Sequence, residues 1–146
     1  MKVVVAAIIE RADRRILIGQ RRREDTSPLK WEFPGGKMEE GETPEAALAR
    51  ELHEELGVIL EKCVELGRVR HTYATPPGEL ELRFYAASIK EAIVTPNEFE
   101  QLVWALPKEL ANYDFHAANA QIIARLATGN IKPSEILEEA GGNSVK

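Results

Sequence analysis

The sequence predicts an α/β fold, a mixed β-sheet lying between helices. Short runs rich in Val, Ile and Leu recur along most of the chain, as strands require. Two other stretches, 44–56 and 117–128, carry apolar residues at helical spacing. Strands interrupted by two main helices bury their apolar faces best as layers, with helices on both sides of a sheet. At 146 residues the chain has the size of one domain. Such a length buries roughly 68–70% of the unfolded surface, enough for a proper core.

Residues 2–10 are dominated by Val and Ile and read as a buried strand. Residues 11–14 make a turn, and 15–20 (RILIGQ) alternate as the return strand of a hairpin. The charged stretch 21–30, with Ser27-Pro28, is a loop. Trp31-Glu32-Phe33 is a short extended piece entering the turn Pro34-Gly35-Gly36. Thr43 can cap a helix, and Pro44 suits its first position because no N–H partner is needed there. Good helix formers then run to Leu56, and Gly57 is the stop. Strands follow over 64–73 and 80–89, joined by Thr75-Pro76-Pro77-Gly78. A further strand covers 102–106, and Pro107 to Asn112 form one or two helical turns. The second helix, 117–128, turns Ile122, Ile123 and Leu126 inward and ends at Gly129. Residues 1–130 thus make the domain. Residues 131–146 are a tail, with a short helix over Ile136 and Leu137 and then disorder from Gly141-Gly142-Asn143.

Composition narrows the function. A net charge of −5 and a pI near 5.3 disfavour a polymeric nucleic acid as partner, because its backbone demands basic surface. A small nucleotide remains open, since bound cations reverse a local field. The one cysteine, Cys63, excludes an internal disulfide and fits a reducing cytoplasm. The apolar run 3–9 is far short of the roughly 20 residues a membrane span needs. No partner for Cys63 or for any Ser suggests a covalent nucleophile.

The first helix carries the chemistry. Leu48, Leu52 and Leu56 form one stripe with Ala49, which faces the core. Glu51, Glu54 and Glu55 share an adjoining arc about 100° wide, since positions i, i+3 and i+4 lie on one face. Three carboxylates there repel one another unless a cation joins them. The plain alternative is a solvated acidic face with Arg50 paired to Glu54. Two features favour the cation: the arc borders the apolar stripe, and it follows a glycine turn that lets backbone approach a ligand. Mg²⁺ takes a few carboxylates, water and substrate phosphates.

Residues 36–58 (GKMEEGETPEAALARELHEELGV) fit Gly-x5-Glu-x7-Arg-Glu-apolar-x-Glu-Glu-x-Gly-apolar. The fixed positions are Gly36, Glu42, Arg50, Glu51, Leu52, Glu54, Glu55, Gly57 and Val58. This is the signature of the Nudix hydrolases, which the chain resembles. With WEFPGGK at 31–37 and GETPE at 41–45, it is similar to their MutT-like branch. The opening VVAAIIER and Leu102-Val103-Trp104 also resemble the CTP pyrophosphohydrolases. The resemblance covers about residues 3–128 and implies the Nudix α/β/α sandwich.

The resemblance also implies a site. Gly35, Glu51, Glu54 and Glu55 would hold Mg²⁺, with Mn²⁺ an acceptable substitute. A later glutamate completes the set; Glu98 fits by its distance from Trp104, and Glu100 is the alternative. Glu51, Glu54, Glu55 and Glu98 are the catalytic candidates, with Glu51 or Glu98 as base. Glu42, Arg50 and Gly57 have structural roles, Glu42 and Arg50 fixing the loop to the helix. Substrate-side candidates are Gly36, Lys37, Arg22, Phe33 and Asn119. For Lys37 and Arg22 the alternative is an ordinary solvated cation. Of Phe33 and Trp31, which alternate, Phe33 is assigned to the base pocket; Trp104 is assigned to the core. For Asn119 the alternatives are base contact and helix cap. The implied reaction is water attack on a diphosphate linkage, giving a nucleoside monophosphate and pyrophosphate. 8-oxo-dGTP is the leading substrate; CTP or a modified dCTP is the alternative. His116 and Ala117 stand where the MutT pattern commonly has prolines, a departure that bears on the substrate and not on the fold. A nucleotide sensor without turnover is a third reading, disfavoured because every glutamate of the motif is present. Monomer and homodimer both remain open.

Overall fold

A computed structural model describes residues 1–74, 77–91, 93–140 and 143–144. Strand β1 (Lys2–Ile9) lies at the heart of the larger sheet. It pairs antiparallel with β4 (Gly35–Lys37) on one side and parallel with β6 (Pro77–Ile89) on the other. Strand β6 forms a long antiparallel pair with β5 (Leu60–Ala74). The short β8 (Asn143–Ser144) pairs with Lys62 and Cys63 at the outer edge of β5. The order β4-β1-β6-β5-β8 is therefore a mixed sheet.

Side chains alternate across this sheet and feed two cores. Val5, Ala7 and Ile9 meet Ala47, Leu48, Leu52 and Leu56 of helix α1 (Pro44–Leu56). Ala6 and Ile8 point to the opposite face and meet Ile122, Ile123 and Leu126 of α2 (Ala120–Ala127). Helices thus cover both faces, which is the α/β/α layering.

Strand β2 (Ile16–Gln20) does not return along β1 as a hairpin. One bridge, Glu10 to Ile16, joins them before the chain turns away. The reason is that both edges of β1 are taken, one by β4 and one by β6. Arg14, at φ 74°, redirects the chain. Ile16, Leu17 and Ile18 are fully buried in a second, three-stranded sheet of order β3-β2-β7, with β3 at Trp31–Glu32 and β7 at Gln101–Ala105.

Other boundaries shift locally. Strands β5 and β6 are longer than their apolar cores, because backbone pairing continues to Ala74 and Pro77. The Thr75-Pro76 half of the expected turn lies outside the described residues. The second helix opens with a 3₁₀ turn at Ala117–Asn119, where the Nδ1 of His116 accepts from the Ala118 N–H at 3.1 Å. Pro107–Asn112 is also 3₁₀. A third helix, α3 (Pro133–Ala140), packs on β5 and β6 and buries Pro133 and Leu137. Of the end expected to be disordered, Gly141, Gly142, Val145 and Lys146 lie outside the described residues. Among the described residues no helix is long and apolar enough to cross a membrane.

Candidate active site

Helix α1 starts where the sequence says it should. Thr43 accepts the Ala46 N–H at 3.1 Å, and Pro44 follows. It stops at Gly57, at φ 69°, whose N–H donates to the His53 carbonyl at 3.0 Å. Between these points the three glutamates of the arc grade from buried to exposed. Glu55 is buried, Glu51 half-buried and Glu54 exposed. This is what an arc beside an apolar stripe must do.

Arg50 organises the outer half of the arc. Its Nε and Nη2 donate to Glu42 at 2.7 and 2.9 Å, a bidentate fork. Its Nη1 donates to Glu51 at 2.9 Å and lies 3.5 Å from Glu54, while Nη2 also reaches the Lys37 carbonyl at 3.1 Å. The fork holds the Glu42 carboxyl down to about 2. Arg50 therefore ties the loop after β4 to the helix while drawing two arc carboxylates toward itself.

Glu55 faces inward. Its carboxylate accepts the Gly35 N–H at 2.9 Å. Burial pushes this carboxyl up to about 9, against the pull of that N–H; the charges of Glu32, Glu51 and Glu98 add to the rise. Glu51 is also raised, chiefly by burial, with Glu54 and Glu98 adding to it. The charge of the loop glutamate Glu98 thus adds to the rise at both Glu51 and Glu55.

Both glycines of the turn have steric causes. A Cβ on Gly35, at φ 151°, would collide with the Val5 carbonyl. One on Gly36 would collide with the Glu51 carboxylate. Backbone and acid therefore pack in direct contact. Among the described residues no three His, Cys, Asp or Glu side chains converge on one point as a finished cage. The donors are nonetheless of the right kind: clustered carboxylate oxygens, one deeply buried, suit a hard divalent cation. Such a cation would offset both the burial and the neighbouring acidic charges that raise Glu55.

A cavity of about 240 Å³ adjoins this arc. Gly35 and Gly36, which touch Glu55 and Glu51, lie on its wall, as does Asn119; Glu51, Glu54, Glu55 and Glu98 themselves do not line it. Asn119 is 7% exposed and its side chain makes no cap hydrogen bond; its Nδ2 donates to the His116 carbonyl at 3.1 Å. Phe33 and Trp31 both border the cavity. Phe33 is the more buried, packed against Phe84 and Phe115, while Trp31 stands edge-on to Tyr113. Trp104 is half-buried, with the Arg11 guanidinium over its ring. Lys37 is exposed and Arg22 is not on the wall; Arg22 donates to the Asn97 carbonyl at 2.6 Å.

Sequence reasoning missed several wall residues. Arg21 borders the cavity and pairs with Glu32 at 3.3 Å. Burial raises Glu32, and Arg21 pulls it back. His116 also lines the cavity, with the His71 ring at 4.9 Å; burial, then His71 and Lys30, lower its basicity. No periodicity links these positions, since separate parts of the chain bring them together only in the folded molecule. Asn97 was missed too: it is a lone loop residue without a pattern.

The NUDIX domain model matches residues 1–126. The chain belongs to the NUDIX family. This Nudix chain is 34% identical over 133 residues to the CTP pyrophosphohydrolase of Escherichia coli (strain K12), spanning 90% of this chain and 96% of that one. It is 39% identical over 82 residues to the 8-oxo-dGTP diphosphatase of Proteus vulgaris, spanning 56% and 71%. Among solved structures, the Escherichia coli ORF135 protein superposes with a TM-score of 0.72 at 30% identity, covering 96% of this chain and 92% of that one. MutT from Aliivibrio salmonicida and Vibrio cholerae also gives 0.72, at 29% identity, covering 88% and 98%. Domain match and relatives together make the chain a Nudix hydrolase.

Proposed function

We propose that this Nudix hydrolase is a Mg²⁺-dependent nucleoside triphosphate pyrophosphohydrolase that acts on 8-oxo-dGTP. The observation that carries the reading is the placement of Asn119, an amide that makes no helix cap, on the wall of a cavity shared with Gly35 and Gly36, whose backbone touches Glu55 and Glu51 of the acidic arc. The base end and the phosphate end of a nucleotide are thus both provided for. Guanine offers two acceptors, O6 and N7, on its major-groove edge. Oxidation at C8 places a hydrogen on N7 and makes it a donor. Asn119 presents one acceptor and, beyond the hydrogen it gives His116, one further donor. It therefore matches the N7–H and O6 of the oxidised base together, and cannot match two acceptors equally well.

At the other end, Glu51, Glu54, Glu55, Glu98 and the Gly35 carbonyl would hold the cation. When bound, Mg²⁺ neutralises phosphate charge and lowers the pKa of a water. Water attacks a bridging phosphoanhydride, the P–O bond breaks, and nucleoside monophosphate and pyrophosphate leave. Glu51 or Glu98 accepts the proton. Lys37 and Arg22 are the cations assigned to the phosphates. Arg50 and Glu42 hold the loop in register and touch no substrate.

A second reading, CTP or a modified dCTP as substrate, is favoured by the span of the match to the CTP pyrophosphohydrolase. Pyrophosphate release should be ranked across the standard nucleotides and 8-oxo-dGTP. The first reading expects 8-oxo-dGTP to lead, and Asn119→Ala to cost it more than any other substrate. A lead for CTP that survives Asn119→Ala would replace it. Nucleotide binding without turnover under any divalent cation would make the chain a sensor instead.

A further inference from the structure

We infer that Gly19 and Phe99 are a positioning pair that sets where Glu98 stands, with Asn97 fixing the loop from the other side. The inference rests on the reading of Glu98 as a cation ligand. Glu98 is itself exposed, so its own packing does not hold it. Its neighbours do.

Phe99 is 4% exposed and belongs to the core beneath α1. Its ring lies directly on Gly19, inside strand β2. A Cβ built on Gly19 would fall 2.5, 2.6 and 2.8 Å from three atoms of that ring. Only glycine at 19 admits the ring in this place, the close approach that glycine inside a strand often marks. One residue further, the Glu100 N–H donates to the Gln20 carbonyl at 2.8 Å. The loop is therefore joined to β2 immediately after Glu98.

The other anchor is on α1. The Asn97 N–H donates to the Glu55 carbonyl at 3.0 Å, and its Nδ2 to the Glu54 carbonyl at 3.3 Å. These carbonyls belong to the last helical turn, which has no partners within the helix. Glu98 is thus strung between β2 and the acid-bearing end of α1. A methyl at position 19 would displace the ring, and the backbone that carries Glu98 moves with it. Groups that orient metal ligands typically change affinity by about 10–100-fold when lost.

The test is Mn²⁺ binding to the full chain without nucleotide, read by electron paramagnetic resonance, alongside the thermal midpoint. Gly19→Ala should weaken Mn²⁺ about tenfold. Adding Phe99→Leu, which removes ring atoms from the path of the new methyl, should restore most of the loss. Asn97→Ala changes an exposed amide, cannot empty the core, and should weaken Mn²⁺ severalfold. In a Glu98→Gln background, Gly19→Ala should cost nothing further. Parental Mn²⁺ affinity in Gly19→Ala, or an undiminished loss in the Glu98→Gln background, overturns the inference. If Gly19→Ala does not fold, parental affinity in Asn97→Ala overturns it. A parent chain that binds no Mn²⁺ defeats the cation reading itself, a result distinct from these.

Discussion

Arg50 and Glu55 show how much one residue decides in this chain. Glu42 is an acid stabilised in its charged form, since Arg50 holds it down to about 2 from an ordinary 4.5. As pH falls below 4.5 the unfolded chain takes up this proton first. Stability from this contact is therefore present above that value and is lost as pH falls toward about 2. Glu42→Gln should flatten that acid limb, measured as the urea midpoint across the same range; a variant with the parental limb rejects the assignment. Glu55 is the opposite case. Its carboxyl is raised to about 9 without metal, so it is neutral near neutral pH and glutamine copies its shape. Glu55→Gln should keep the thermal midpoint yet lower pyrophosphate release on the order of a hundredfold. Unchanged turnover would remove Glu55 from the site.

At the scale of elements, helix α1 was legible almost to the residue, because capping, propensity and periodicity agree there. Thr43, Pro44 and Gly57 each act locally, so no tertiary partner is needed to read them. Thr43→Ala should cost about 1 kcal/mol. For a chain of this size that is a thermal midpoint lower by roughly 2–4 °C. A midpoint within error of the parent would mean that the cap contributes nothing. Strand β2 was legible as a strand and misread as a hairpin partner. Its own alternation carries no information about which edge of β1 is free, and β4 and β6 occupy both. The cavity wall was only partly legible for the same reason. Arg21, just past the end of β2, meets Glu32 of β3, where no local spacing announces the pair.

At the scale of the whole molecule, the layered fold followed from pattern alone, whereas the place of residues 131–140 did not. Their apolar content is low, yet α3 closes the open edge of the second core. Ile131, Pro133 and Leu137 are buried. Glu10, at the end of β1, has a side chain only 3% exposed and accepts from both the N–H and the hydroxyl of Ser134. Without α3 the cation left beside it among the described residues is Arg14, at 3.8 Å. A carboxylate stripped of buried partners costs about 1–3 kcal/mol. Three buried apolar side chains contribute comparable amounts each before the entropy of ordering the helix is subtracted. A chain stopped at residue 130 should therefore unfold at a clearly lower urea concentration, while Mn²⁺ affinity stays near parental, because the acidic arc lies on the opposite face of the sheet. Ser134→Ala in the full chain should reproduce part of the loss. If the shortened chain matches the full one in urea, α3 is only draped on β5 and β6, and Glu10 satisfies itself with Arg14 and water.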